Sequence, residues 1–259
     1  MPIQSINGTM LHVQTFGEGI PIIFIHPPLL TNANFRYQQI DLSDDYWIIT
    51  FDIRGHGKSA HSDASITYPL IVEDIHQLMD KLGIERAFVC GYSTGGSIAL
   101  EAMLTHPSRF YGGILISAMS EATDMKLRSR IRLAISLSRW RPLLHLLRWA
   151  ISWGNADNKL TFRQLLQDAK QGHRDNIHQY YQCSLNYNCT EQLRHITAPV
   201  LLLYGAKDTN FNKYRSKLQQ GLPDTKLVIF QEEQHQLPTK AAGEVNKTIR
   251  RWIDQVIHQ

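Results

Sequence analysis

Ser93 lies at the centre of Gly91-Tyr92-Ser93-Thr94-Gly95, a G-x-S-x-G pentapeptide behind the apolar run Ala87-Phe88-Val89-Cys90. Beyond it comes Gly96-Ser97-Ile98-Ala99-Leu100-Glu101-Ala102-Met103, which is rich in small residues and compatible with a helix. A serine on a tight turn between strand and helix has its hydroxyl pushed out where the helix N-terminus favours developing negative charge. The flanking glycines let the backbone take a strained turn and let strand and helix approach closely. Such a hydroxyl still needs a base, and the base needs a group to orient it. Pro199-Val200-Leu201-Leu202-Leu203-Tyr204-Gly205 reads as a buried strand, with Asp208 three residues further on. Lys226-Leu227-Val228-Ile229-Phe230 reads as another, followed by Gln231-Glu232-Glu233-Gln234-His235.

The order Ser, Asp, His, each just past a strand end, resembles that of the α/β-hydrolase superfamily. Further landmarks carry the resemblance. Ile22 to Leu29, with His26-Pro27-Pro28, is similar to the family's strand and oxyanion loop. Asp52-Ile53-Arg54-Gly55-His56-Gly57-Lys58-Ser59 resembles its D-x-R-G-x-G-x-S turn, and His106-Pro107-Ser108-Arg109-Phe110 the link after the nucleophile helix. Together these cover almost the whole chain apart from about residues 120–195.

The resemblance implies Ser93 as nucleophile, His235 as base and Asp208 as orienting acid, with the N–H of Thr94 as one oxyanion donor. One departure bears on the second donor. The family usually has His-Gly at the start of this loop, whereas both Pro27 and Pro28 lack a backbone N–H. The donor then falls to Leu29, or the loop takes another path. Removing one donor from such a hole costs about two to three powers of ten in turnover. Rival acids are Glu121 and Asp124, where some family members place theirs; Glu232 and Glu233 share a loop with His235 and read as solvated. His26, His56 and His106 fall in family turns where a structural hydrogen bond is the expected role. Asp52 is expected to hydrogen-bond its own turn. Tyr92 and Phe35 are candidates to line the substrate pocket, with core packing as the alternative.

The elements that must position these residues alternate as in a mostly parallel sheet covered on both faces. Strands are expected near residues 9–16, 20–25, 47–52, 87–91, 112–117, 200–204 and 226–230. Helices are expected at 69–82, at 93–105 and at 241–257, where Val245, Ile249, Trp252 and Val256 form one stripe. The fold class is α/β, with an α/β-hydrolase core over residues 1–120 and 196–259. Residues 121–195 show only helical periodicity, and the resemblance makes them a helical cap inserted in that core. Pro142 divides its first half into two helices.

Apolar content of 43%, charged content of 19% and a length of 259 residues are ordinary for one large globular core. Cys90, Cys183 and Cys189 offer neither a disulfide framework nor a zinc spacing. The start of the chain lacks the regions of a secretory signal, and no apolar run is long enough to span a membrane. A cytoplasmic location with reduced thiols is expected, with no metal, organic cofactor or nucleic-acid partner.

Charge is unevenly placed. Residues 125–156 hold seven Lys or Arg and no Asp or Glu, in a chain whose net charge is +4, so the remainder carries −3. Three readings of this basic cap compete. It is a solvated face with arginine stems over apolar surface, an attractor of an anionic or carrier-linked acyl substrate, or a surface for an anionic membrane, given Trp140, Trp149 and Trp153 among leucines and arginines. It argues against an aminopeptidase of the proline-iminopeptidase kind, where acidic cap residues hold the substrate's amine. The expected function is hydrolysis of carboxylic esters with small or medium acyl groups. The alternatives are cleavage of a C–C bond or enol lactone in an anionic metabolite, and ligand sensing by a protein that retains the three residues. A nucleophilic serine disfavours the dehalogenase and epoxide-hydrolase branches.

Overall fold

The computed structural model describes residues 2–258. Its strands are β1 (Ile3–Ile6), β2 (Thr9–Phe16), β3 (Ile20–Ile25), β4 (Tyr46–Phe51), β5 (Ala87–Tyr92), β6 (Phe110–Ile116), β7 (Val200–Gly205) and β8 (Thr225–Phe230). They form one sheet in the order β1-β2-β4-β3-β5-β6-β7-β8. Pairing is antiparallel at β1–β2 and β2–β4 and parallel across the remainder.

Helices fill the connections: α1 (Arg36–Leu42) after β3, α2 (Tyr68–Lys81) after β4 and α3 (Thr94–Thr105) after β5. Four lie between β6 and β7: α4 (Met125–Ser138), α5 (Arg141–Asn155), α6 (Lys159–Gln171) and α7 (Arg174–Asn186). The chain closes with α8 (Asn212–Gly221), α9 (Leu237–Lys240) and α10 (Ala242–Ile257). The chain thus adopts the α/β class expected, with seven strands near their expected positions and β1 added at the edge. β1 escapes the sequence because it is four residues long and buries only Ile6. α1, α8 and α9 lie outside the expected elements; α8 buries just Tyr214 and Leu218, too few apolar positions to set a period.

The unbroken apolar runs of the central strands have a direct cause. Val200, Leu202 and Tyr204 of β7 pack into one core, while Leu201 and Leu203 pack into the other. A strand covered on both faces has no polar side to alternate with. α2 begins where the Thr67 side chain accepts from the Leu70 N–H at 3.2 Å, with Pro69 in the first turn. α5 likewise begins with Pro142 in its first turn, two residues after α4 ends at its C-cap Arg139. Cys90, Cys183 and Cys189 are free thiols.

β3 pairs with β4 on one side and β5 on the other, so the strand order reverses at β3. Loops leaving neighbouring strands in opposite directions open a crevice at the carboxyl ends, where open α/β sheets bind ligands. Both the His26–Leu29 loop and Ser93 leave strands at this place. The sheet's rigidity rests on packing such as Trp252 of α10, buried edge-on against Phe88 of β5 with ring centroids 5.5 Å apart. Trp252→Ala is expected to lower unfolding free energy by about 3–5 kcal/mol, measured as a fall in the urea midpoint with an unchanged slope.

Candidate active site

The nucleophile turn is built by close packing. Ser93 has φ 54° and ψ −122°, a left-handed conformation rare for a side-chain-bearing residue. A Cβ on Gly91 would lie 2.3 Å from the Gly95 carbonyl oxygen, and one on Gly95 would lie 2.2 Å from that of Ile25. Only glycine fits at either place. The Ser93 N–H donates to Ile116 O at 2.8 Å, tying the turn to β6.

Three loops bring the expected residues together. The Ser93 hydroxyl lies 3.1 Å from His235 Nε2, and His235 Nδ1 lies 2.6 Å from the Asp208 carboxylate. Asp208 sits three residues beyond β7 and is buried; His235 follows β8. The imidazole is held between Phe211 and Tyr92, at centroid distances of 4.3 and 5.4 Å, and Ser117 Oγ donates to the His235 carbonyl at 3.0 Å. The rival acids are engaged elsewhere. Glu121 pairs with Lys217, Asp124 caps α4 and bonds Tyr214, and Glu232 pairs with Lys207 on the surface.

Thr94 opens α3, and among the described residues no backbone or side-chain acceptor takes its N–H. The same holds for the Leu29 N–H, in a residue with φ 67°. The Leu29 side chain packs into the core beside β3, while Pro27, Pro28 and Leu30 face the site cavity. Tyr92 lines the cavity too, but its hydroxyl donates to Asn155 Oδ1 at 2.9 Å, which ties α5 to the nucleophile turn. Phe35 packs on Phe24 in the core instead, with centroids 5.1 Å apart.

The cavity has a volume of about 580 Å³. Leu127, Ile131, Ala134, Leu147 and Ile151 of α4 and α5 form its apolar wall, opposite Ser93 and His235. Arg130, Lys207 and Asn155 add polar groups that sequence reasoning did not single out. No local signal marks Asn155; Arg130 falls in the basic stretch of residues 125–156, but nothing in the sequence places it at this cavity.

Several other histidines make structural contacts. His26 accepts the Ile53 N–H at Nε2 (2.9 Å), so its Nδ1–H donates to Pro27 O (2.9 Å), and burial holds its pKa below the ordinary value. Burial pushes Asp52 up, but bonds from His12 and from the Asn32 and Lys58 N–H groups outweigh this and leave it below the usual carboxylate range. Glu73, His76 and His106 bring ligand atoms within 4.8 Å of one another, but the Arg109 guanidinium already donates to His76 Nε2 at 2.7 Å.

The sheet order, the crevice and the serine turn define an α/β-hydrolase. The chain belongs to the family described as serine aminopeptidase, S33, whose model matches residues 42–239. It is 27% identical over 221 residues to 3-oxoadipate enol-lactonase 2 of Acinetobacter baylyi, covering 80% of this chain and 82% of that one. Among solved structures it resembles an esterase from Thermogutta terrifontis (TM-score 0.84, 20% identity, 99% of this chain and 97% of that). It also resembles the enol-lactonase from Burkholderia xenovorans LB400 (TM-score 0.85, 18% identity, 98% and 100%). At such identities these two likenesses establish the fold. No helix among the described residues is long and apolar enough to cross a membrane.

Buried His56 makes the fold acid-sensitive. Burial, reinforced by nearby His26, pushes its pKa down to about 3 from an ordinary 6.5. The unfolded chain therefore takes up a proton that the folded protein refuses until about pH 3. Stability is full above pH 6.5 and falls as the pH drops. This imidazole is expected to remove about 2 kcal/mol by pH 5. Urea unfolding between pH 7.5 and 5 checks it, with His56→Gln giving a shallower slope.

Proposed function

We propose that the protein hydrolyses carboxylic esters of small or medium acyl groups through Ser93, His235, Asp208 and an acyl-enzyme. One observation carries the reading: the hydrogen-bonded chain from Ser93 through His235 to buried Asp208, opening onto an apolar cavity. His235 takes the hydroxyl proton at Nε2 as Ser93 Oγ attacks the ester carbonyl. Asp208 accepts from Nδ1–H, holding the tautomer and stabilising the imidazolium. The N–H groups of Thr94 and Leu29 receive the oxyanion. Collapse breaks the carbonyl–alkoxy bond, and His235 returns the proton to the departing alcohol. Water then attacks the acyl-enzyme by the same route and frees the acid and Ser93. Residues 121–195 act as a cap that closes the cavity over the core of residues 1–120 and 196–259.

The family description names an aminopeptidase, but a substrate amine calls for a carboxylate in its pocket. Asp208, already bonded to His235, is the only carboxylate among the described cavity-lining residues. The cations there favour the opposite charge. Arg130 has no acidic partner among the described residues and lines the cavity. It supports a second reading, in which the substrate is an anionic metabolite with an enol-lactone or cleavable C–C bond.

Hydrolysis of p-nitrophenyl esters of graded acyl length tests the first reading. Turnover should show a preferred length and drop at least about 10⁴-fold in Ser93→Ala. No turnover by folded wild type would sink it. For the second, Arg130→Gln should raise KM about tenfold for a carboxylate-bearing ester while leaving a neutral one unaffected; equal effects on both would remove Arg130 from substrate binding.

A further inference from the structure

α5 has three chemically different sides. Leu147, Ile151 and Asn155 face the active-site cavity. Leu143, Leu146, Trp149 and Trp153 face outward, and at 3.6 residues per turn they share about a third of the circumference. The tryptophans are 47% and 56% exposed and stack on one another, with rings 5.7 Å apart and 4° from parallel. Trp140, just before α5, and Leu160 of α6 are 68% and 65% exposed. A run of large apolar side chains in water marks a docking surface rather than ordinary surface scatter.

Its surroundings select the partner. Arg139 and Arg141 flank Trp140, and Lys126 and Arg132 are exposed on α4, which packs against α5. None of these cations meets an acid among the described residues. On the flank next to the stripe, Arg141, His145, Arg148, Lys170, His173 and Arg174 line a second cavity of about 490 Å³. Its one acid, Asp175, is bonded by Arg174 at 3.0 Å. Arg148 is only 6% exposed, yet among the described residues it has no carboxylate partner; it donates to Gly172 O at 2.6 Å while its Nε has no partner there. A nearly buried guanidinium without a counter-charge is costly unless an anion completes it.

We infer that the insertion docks on an anionic lipid bilayer, with the Trp149–Trp153 stripe at the interface and the adjoining basic cleft taking headgroup phosphate. Indole rings favour the headgroup level, and each nearby Lys or Arg adds attraction to anionic lipid. A second copy of this chain fits poorly, because the exposed arginines beside the stripe would oppose arginines of the same sign. Docked in this way, only the thickness of one helix separates the bilayer from the cavity wall. The inference is independent of which bond Ser93 attacks.

The test is co-sedimentation of the full chain, carrying Ser93→Ala so that catalysis plays no part. Vesicles of phosphatidylcholine mixed with phosphatidylglycerol are compared with phosphatidylcholine alone. Binding should require the anionic lipid and weaken with salt. It should fall at least about tenfold in the Trp149→Ala/Trp153→Ala variant. Arg139→Gln/Arg141→Gln, which changes only exposed cations, should lower it similarly and serves if the tryptophan variant fails to fold. Absent binding, equal binding to neutral vesicles, or unchanged binding by a folded variant would overturn the inference. A dimer in sedimentation velocity that the tryptophan variant abolishes would overturn it too, assigning the stripe to a second copy.

Discussion

The site depends on a backbone turn that is unfavourable by itself. A residue with a side chain at φ 54° carries strain of about 1–3 kcal/mol. The surrounding structure leaves no lower-energy alternative. Gly91 and Gly95 bring the turn against its own helix and against β3 so tightly that a methyl group has no room. The Ser93 N–H is tied to β6. Strain at Ser93 is thus offset by burial spread over a central strand that is buried at every position. The hydroxyl is presented at the sheet's edge instead of relaxing into the helix.

The same edge collects the partners. Parallel strands all point their carboxyl ends to one side, so loops far apart in sequence emerge side by side. His235 meets Ser93 across 142 residues, and Asp208 meets His235 across 27, for this reason. Packing then narrows the freedom of the imidazole: Phe211 and Tyr92 confine its plane, and Ser117 fixes its backbone. Burial disfavours the charged forms of His26 and His56, and His26 Nε2 accepts the Ile53 N–H only while neutral.

The insertion is tied to this edge by specific bonds. Asn155 receives the Tyr92 hydroxyl, Thr239 donates to Asn155 O at 2.6 Å, and Tyr180 donates to His26 O at 2.9 Å. Three contacts from two insertion helices reach the turns around Ser93, His26 and His235. A displacement of the insertion would therefore be felt at the oxyanion loop and at the base. Its outer chemistry, apolar and cationic, differs from its inner wall because one helix serves both.

Much of the protein was legible in the chain. Strand, glycine turn and helix around Ser93 are local features, as are the apolar runs of β3, β5 and β7, the stripe of α10 and the break at Pro142. Short-range periodicity and backbone preference are enough to specify them, and the acid-free basic stretch of residues 125–156 needs only counting. β1, α1 and α8 were not legible, because few of their residues are apolar enough to set a pattern. Asp208 is favoured by its place after β7, but only the tertiary structure shows the rivals engaged elsewhere, Glu121 with Lys217 and Asp124 with Tyr214. The tertiary structure alone put Phe35 in the core, Arg130 at the cavity and Asn155 against Tyr92. These are matters of distance between remote segments, and distance is set when the two cores close on the sheet, after local preference has had its say.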